Sequence, residues 1–180
     1  TTEMAKLNEN FFALKKNYLF IDIAKRIKAY TEAHPDAKLI RMGIGDVTQP
    51  LAPVVVEAME KACREMGVKE TFRGYEDSGA GYDFLRDAVS DYYKSFGADV
   101  PAEEIHISDG AKSDCGNIID IFGEGNVVLV TDPAYPVYVD SNVMSGNSVL
   151  YADSNEENGF AAMPPKDIKA DLIYLCSPNN

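Results

Sequence analysis

What this chain has little of narrows its function before any motif is read. Its three cysteines, Cys63, Cys115 and Cys176, are odd in number, far apart and without a C-x-x-C pair. That excludes a disulfide framework and a zinc site of ordinary spacing, and it fits a reducing, cytoplasmic location. The two histidines are solitary: His34 precedes Pro35 in an expected loop and His106 lies inside an apolar strand pattern. Neither reads as a ligand or a catalyst, and no metal is expected. No apolar stretch approaches the length needed to span a bilayer, and the N-terminus lacks the basic flank and apolar run of an export signal. Lysine and arginine form no cluster within a net charge of −12. Nucleic acid and anionic membrane are therefore not expected partners. The dinucleotide fingerprint G-x-G-x-x-G after a strand, the phosphate loop G-x-x-x-x-G-K-[ST] and the nucleophile elbow G-x-S-x-G are also absent, which removes the commonest ligand sites of α/β proteins.

What is present is a chain of 180 residues, 46% hydrophobic, long enough for one sizeable core and a short arm. Residues 1–50 read as the arm, with helical spacing from Tyr18 to Tyr30, a short strand at Leu39–Ile44 and a turn at Gly43–Asp46. Pro50 and Pro53 open a helix whose apolar positions run Val55, Ala58, Met59, Ala62, Met66 before Gly67 ends it. A polar, glycine-rich connection, Phe72 to Gly81, separates it from a second helix, Phe84 to Phe96, closed by Gly97. Thereafter strands and helices alternate: strand Glu104–Ser108, helix Gly110–Phe122, strand Asn126–Thr131, helix Tyr135–Ser145, strand Ser148–Tyr151 and strand Asp171–Cys176. Alternation of this kind implies crossovers and a mainly parallel sheet, an α/β protein in three layers.

In such sheets ligands bind beyond the carboxyl ends of the strands, and three of those ends carry chemistry. Ser108-Asp109-Gly110-Ala111-Lys112 enters a helix on small residues, where free N–H groups suit a phosphate; equally, Asp109 can be an ordinary cap and Lys112 a solvated side chain. Thr131-Asp132-Pro133-Ala134-Tyr135-Pro136 aims an aromatic past the sheet edge, either to stack on a flat ring or to cover the core. Ser177-Pro178-Asn179-Asn180 offers amides able to donate to a ring oxygen, or forms a plain turn.

Together with Gly43 to Leu51 (GIGDVTQPL), Ile107 to Asn117 (ISDGAKSDCGN), Thr131 to Asp140 (TDPAYPVYVD) and Leu172 to Asn180 (LIYLCSPNN), these segments resemble the fold-type I aminotransferases, which use pyridoxal 5'-phosphate (PLP). Within that family the chain is most similar to the LL-diaminopimelate branch. The resemblance covers nearly the whole chain, and LCSPNN looks like the opening of S-P-N-N-P-T-G. It implies that residues 51–180 are the first part of a large PLP-binding domain with a mainly parallel sheet, and that residues 1–50 are an arm and small-domain segment. Ala111 and Lys112 would lie at the cofactor phosphate, and Tyr75 would reach the phosphate of the second subunit's PLP across a homodimer. Tyr135 would stack on the pyridine ring and Asn180 would bond its phenolic oxygen. Tyr18 and Gly45, with Lys112, Tyr135 and Asn180, would contact substrate.

The implied reaction exchanges an amino group between LL-2,6-diaminopimelate and 2-oxoglutarate, giving tetrahydrodipicolinate and glutamate, a step of lysine biosynthesis. The Schiff-base lysine, the aspartate at the pyridine nitrogen and the carboxylate-binding arginine are expected beyond Asn180, so the segment alone is expected to be inactive. One departure bears on substrate. Where the branch pattern has Gly-Pro-Glu-Gln-Gly after the Tyr75 position, this chain has Glu76-Asp77-Ser78-Gly79-Ala80-Gly81, one residue longer. Glu76 or Asp77 stands in for that glutamate, or both are solvated loop acids, and another amino acid substrate stays open. Asp132-Pro133-Ala134-Tyr135 also resembles the D-P-P-Y of amino-group methyltransferases, but Ser108-Asp109-Gly110-Ala111 is a poor S-adenosylmethionine loop. A non-catalytic truncated module is the remaining alternative.

Overall fold

The computed structural model describes residues 5–15, 19–43, 45 and 47–179. Tyr18, Ile44, Asp46 and Asn180, on which some expectations rested, lie outside them. The described residues form five α-helices, α1 (Leu19–Ala33), α2 (Pro53–Met66), α3 (Asp83–Ser95), α4 (Ala111–Asn117) and α5 (Pro136–Met144). They also form three strands, β1 (Val127–Asp132), β2 (Ser148–Asp153) and β3 (Leu172–Ile173), with short 3-10 turns between. The chain divides into two compact units, residues 1–24 with 108–180, and residues 25–107.

The first unit is organised by a parallel sheet in the order β2-β1-β3. Central β1 reads VVLVTD, a β-branched run suited to a strand covered on both faces, and Val128, Leu129 and Val130 are at most 2% exposed. It pairs with β2 over its full length, Val127 opposite Ser148 through Asp132 opposite Asp153, and α5 makes the crossover. β3 is shorter than the expected Asp171–Cys176. Its ladder with β1 joins Val128 to Leu172 and Leu129 to Ile173, and the flanking N–H groups of Asp171 and Tyr174 donate to Val127 and Leu129. Having β1 on one side only, β3 ends where that pairing ends.

A buried amide network fixes the turn between α5 and β2. Asn142 is fully buried; its side chain donates to the Tyr138 carbonyl and accepts from the Asn147 side chain at 3.0 Å, while Asn147 accepts from the Asn126 N–H at 3.0 Å. Each amide is thus satisfied out of water, where an unpaired one would cost about 1–3 kcal/mol. The N-terminal arm closes on the same point: Asn8 and Asn10 both donate to the Met144 carbonyl.

In the second unit α2 and α3 begin and end as their sequences predict. Pro53 sits in the first turn of α2, and the N–H of Gly67 caps it on Arg64 and Glu65. Two expected strands do not form. Residues 39–43 have no ladder, and at Glu104–Ser108 the Ile107 N–H bonds only the Ala80 carbonyl, at 2.8 Å. An apolar alternation becomes a strand only where a neighbour pairs with it, and here a single bond to a loop replaces the ladder. The expected helix at Gly110–Phe122 is α4 followed by a 3-10 turn, Ile118–Ile121. Among the described residues no helix is long and apolar enough to cross a membrane, and no group of three or more His, Cys, Asp or Glu side chains is placed to hold a metal.

Candidate functional site

At the carboxyl end of β1 the chain turns through Pro133 and Ala134 into α5, with half-buried Tyr135 at the helix's N-cap position and Pro136 opening its first turn. Two hydrogen bonds converge on the Pro133 carbonyl: the Thr131 hydroxyl donates at 3.2 Å, and the Asn179 side chain donates at 3.1 Å. The second ties the exit of β1 to the segment after β3, so two of the three strand ends singled out in the sequence meet. Tyr135 packs edge-on against Tyr138, with centroids 5.7 Å apart, and Tyr138 stacks on Tyr174 at 5.1 Å. Tyr135 therefore sits, half-buried, on an aromatic support.

Burial, a hydrogen bond with the Cys176 thiol and the nearby Cys176, Cys115 and Tyr135 push the Tyr138 phenol up to about 12. Burial first, then Asp114 and Cys176, raises the Cys115 thiol. These shifts describe one partly dry patch to which α4, α5 and the post-β3 segment all contribute. Both raised, the Tyr138 phenol and the Cys115 thiol stay protonated and neutral at physiological pH. The Cys176 thiol in turn donates to the Pro178 carbonyl at 3.3 Å.

Ala111 and Lys112 are the first residues of α4, both exposed. Asp109 does not cap the helix. Gly110 holds the cap position at φ 137°, without a side-chain bond to the first turn, while the Ser108 hydroxyl donates to Asp114 at 2.8 Å and accepts from the Gly110 N–H. The first-turn amides of α4 thus have no side-chain cap, as an anion-accepting turn requires.

Tyr75 and Gly45 belong to the second unit. Tyr75 is fully exposed, and a methyl group added at exposed Gly45 would meet no atom within 4 Å. The connection around Tyr75 is irregular, as expected, but densely bonded. The Ser78 hydroxyl and the N–H groups of Ser78, Gly81 and Gly79 hold the Glu76 carboxyl down at about 2. Of the two loop acids, Glu76 is committed to its own loop and Asp77 is exposed.

Sequence reasoning missed Asn179, Tyr138, Tyr174 and the role of Glu76. The tyrosines had a signal: Tyr138 follows Tyr135 by one helical turn, and Leu172, Tyr174 and Cys176 alternate along one strand face. Asn179 and Glu76 act through backbone atoms distant in sequence or inside a loop, which no periodicity reports.

Parallel strands joined through a helix define an α/β protein, a class in which ligands bind at the carboxyl edge of the sheet. Residues 37–180 match the family "aminotransferase class I and II", and the chain belongs to that family. It is 50% identical over 98% of its length to an LL-diaminopimelate aminotransferase of Agathobacter rectalis and 51% identical over 98% to one of Parabacteroides distasonis, spanning 46% of each. The L,L-diaminopimelate aminotransferase structure from Chlamydomonas reinhardtii superposes with a TM-score of 0.82 at 40% identity, over all of this chain and 46% of that one. The fold is thus that of the fold-type I aminotransferases, and the chain spans about half the length of the curated relatives it matches.

Proposed function

We propose that the protein to which this chain belongs is a PLP-dependent aminotransferase that moves an amino group from LL-diaminopimelate to 2-oxoglutarate, in the cytoplasm and as a homodimer. The observation that carries the reading is the 50% identity, sustained over 98% of the chain, with a curated enzyme of that name. The residues suit the cofactor. α4 opens with uncapped amides for a phosphate, Tyr135 is a half-buried aromatic at a strand exit, and the amide-bearing segment after β3 is tied to that exit.

On this reading residues 1–50 serve as an arm and 51–180 begin the large domain. Ala111 and Lys112 hold the phosphate, the lysine adding charge to the helix-end amides. Tyr135 lies against the pyridine ring and fixes its plane, with Tyr138 and Tyr174 holding the tyrosine from behind. Asn180 donates to the phenolic oxygen, Tyr75 reaches the phosphate of the second subunit, and Tyr18 and Gly45 border the substrate. Bound PLP supplies an electron sink for the carbanion at the substrate Cα.

The test is the absorbance of the full-length protein with PLP, before and after addition of LL-diaminopimelate, glutamate or aspartate. Loss of the visible PLP band with LL-diaminopimelate supports the reading. Loss only with another amino acid removes the named substrate, and absence of any PLP band removes the cofactor.

A further inference from the structure

Tyr75 projects fully into solvent from a loop that has no apolar core of its own apart from Ala80, yet its backbone is pinned on both sides. On the preceding side the Tyr82 hydroxyl donates to the Gly74 carbonyl. Arg73 pairs with Glu65 at 3.0 Å and lies over the Phe84 ring at 5.1 Å, and Phe84 stacks on Tyr82 at 5.7 Å. On the following side the two oxygens of Glu76 divide the work: one accepts from the Ser78 N–H at 2.8 Å and the other from the Gly81 N–H at 3.2 Å. The far end of the loop is anchored by the Ile107 N–H on the Ala80 carbonyl. Gly81 is obligatory there, because a Cβ would stand 2.6 Å from Ile107 Cγ1.

A carboxylate that spans five residues to collect two amides is a brace, and charge-assisted bonds of this kind are stronger than neutral ones. Holding a long side chain ready before binding removes ordering entropy from the binding step. We propose that Glu76 is a positioning residue, whose carboxylate fixes the loop so that Tyr75 is presented in the outward pose needed to reach the phosphate of the second subunit's PLP. The inference deepens the proposed function and rests on its assignment of Tyr75. It also gives the Glu76 carboxylate a role within its own loop and leaves Asp77 as the exposed loop acid.

The experiment uses the full-length dimer and two readouts, amide hydrogen exchange in the loop and PLP affinity. Glu76→Ala is expected to raise exchange at Ser78 and Gly81 and to weaken PLP about tenfold, with kcat at saturating PLP changed less than about twofold. Glu76→Gln, which keeps one strong acceptor, should recover part of both effects. In a Tyr75→Phe background the further loss of PLP affinity on Glu76→Ala should largely vanish, because the brace then has nothing to present. Unchanged exchange in Glu76→Ala would overturn the brace itself. An undiminished tenfold loss in the Tyr75→Phe background would overturn its action through Tyr75. If Tyr75→Phe alone leaves PLP affinity intact while Glu76→Ala still loosens the loop, the assignment of Tyr75 to the phosphate fails and the brace survives.

Discussion

The exit of β1 and the loop around Tyr75 present aromatic side chains by opposite means. Tyr135 stands at the end of a strand whose central residues are out of water, so its position is inherited from apolar packing several residues away. Tyr75 stands on a loop held by the Glu76 carboxylate, the Arg73–Glu65 ion pair, two ring contacts and a few hydrogen bonds to the backbone. The first arrangement draws on burial at roughly 25 cal/mol per Å² of apolar surface and is insensitive to local chemistry. The second depends on a charge and on individual donors, so small chemical changes reach it directly.

Three measurements on the full-length protein sharpen or break that contrast. The largest effect is expected from Val130→Asp, which places an unpaired carboxylate in a position 1% exposed. The loss should exceed about 4 kcal/mol and abolish soluble, PLP-binding protein. A stable, binding variant would show that β1 does not set the site. Next is Gly81→Ala, where φ is +106° and the new methyl would overlap Ile107. A cost of about 2–4 kcal/mol is expected, felt mainly as loosened exchange around Tyr75, with the Tyr135 region unchanged. Thermal unfolding and site-resolved exchange read the two separately.

The smallest effect is a pH window. Because the fold lowers Glu76 from 4.5 to about 2, its contribution is fully present above pH 4.5 and is lost as the pH falls through about 2. Protection of the Ser78 and Gly81 amides, corrected for intrinsic exchange, should hold down to about pH 4.5 and then decline, while β1 protection follows global unfolding. Parallel decline of both would erase the distinction between the regions.

The same contrast explains what the sequence disclosed. β1, β2, α2, α3 and α5 were legible because Val127 to Val130, Pro53 with Gly67, and Pro136 act through local propensity and period. The strand expected at Glu104–Ser108 was not, since Ile105 and Ile107 have the right alternation but their chain has no ladder partner. Lys112 and Tyr135 could be picked out as motif positions; the bonds made by Asn179 and Glu76 could not, because they go to carbonyls and amides that carry no side-chain signature.

The bond from Asn179 to the Pro133 carbonyl joins positions 46 residues apart, and that span has a meaning during synthesis. β1, α5 and β2 are contiguous and can pair as soon as they leave the ribosome. The second half of the proposed binding edge follows only when residue 179 has been added, after the end of β2 at Asp153 by about 1–5 s at ordinary translation rates. For that interval the nascent sheet exists while the edge proposed to hold a ligand is incomplete.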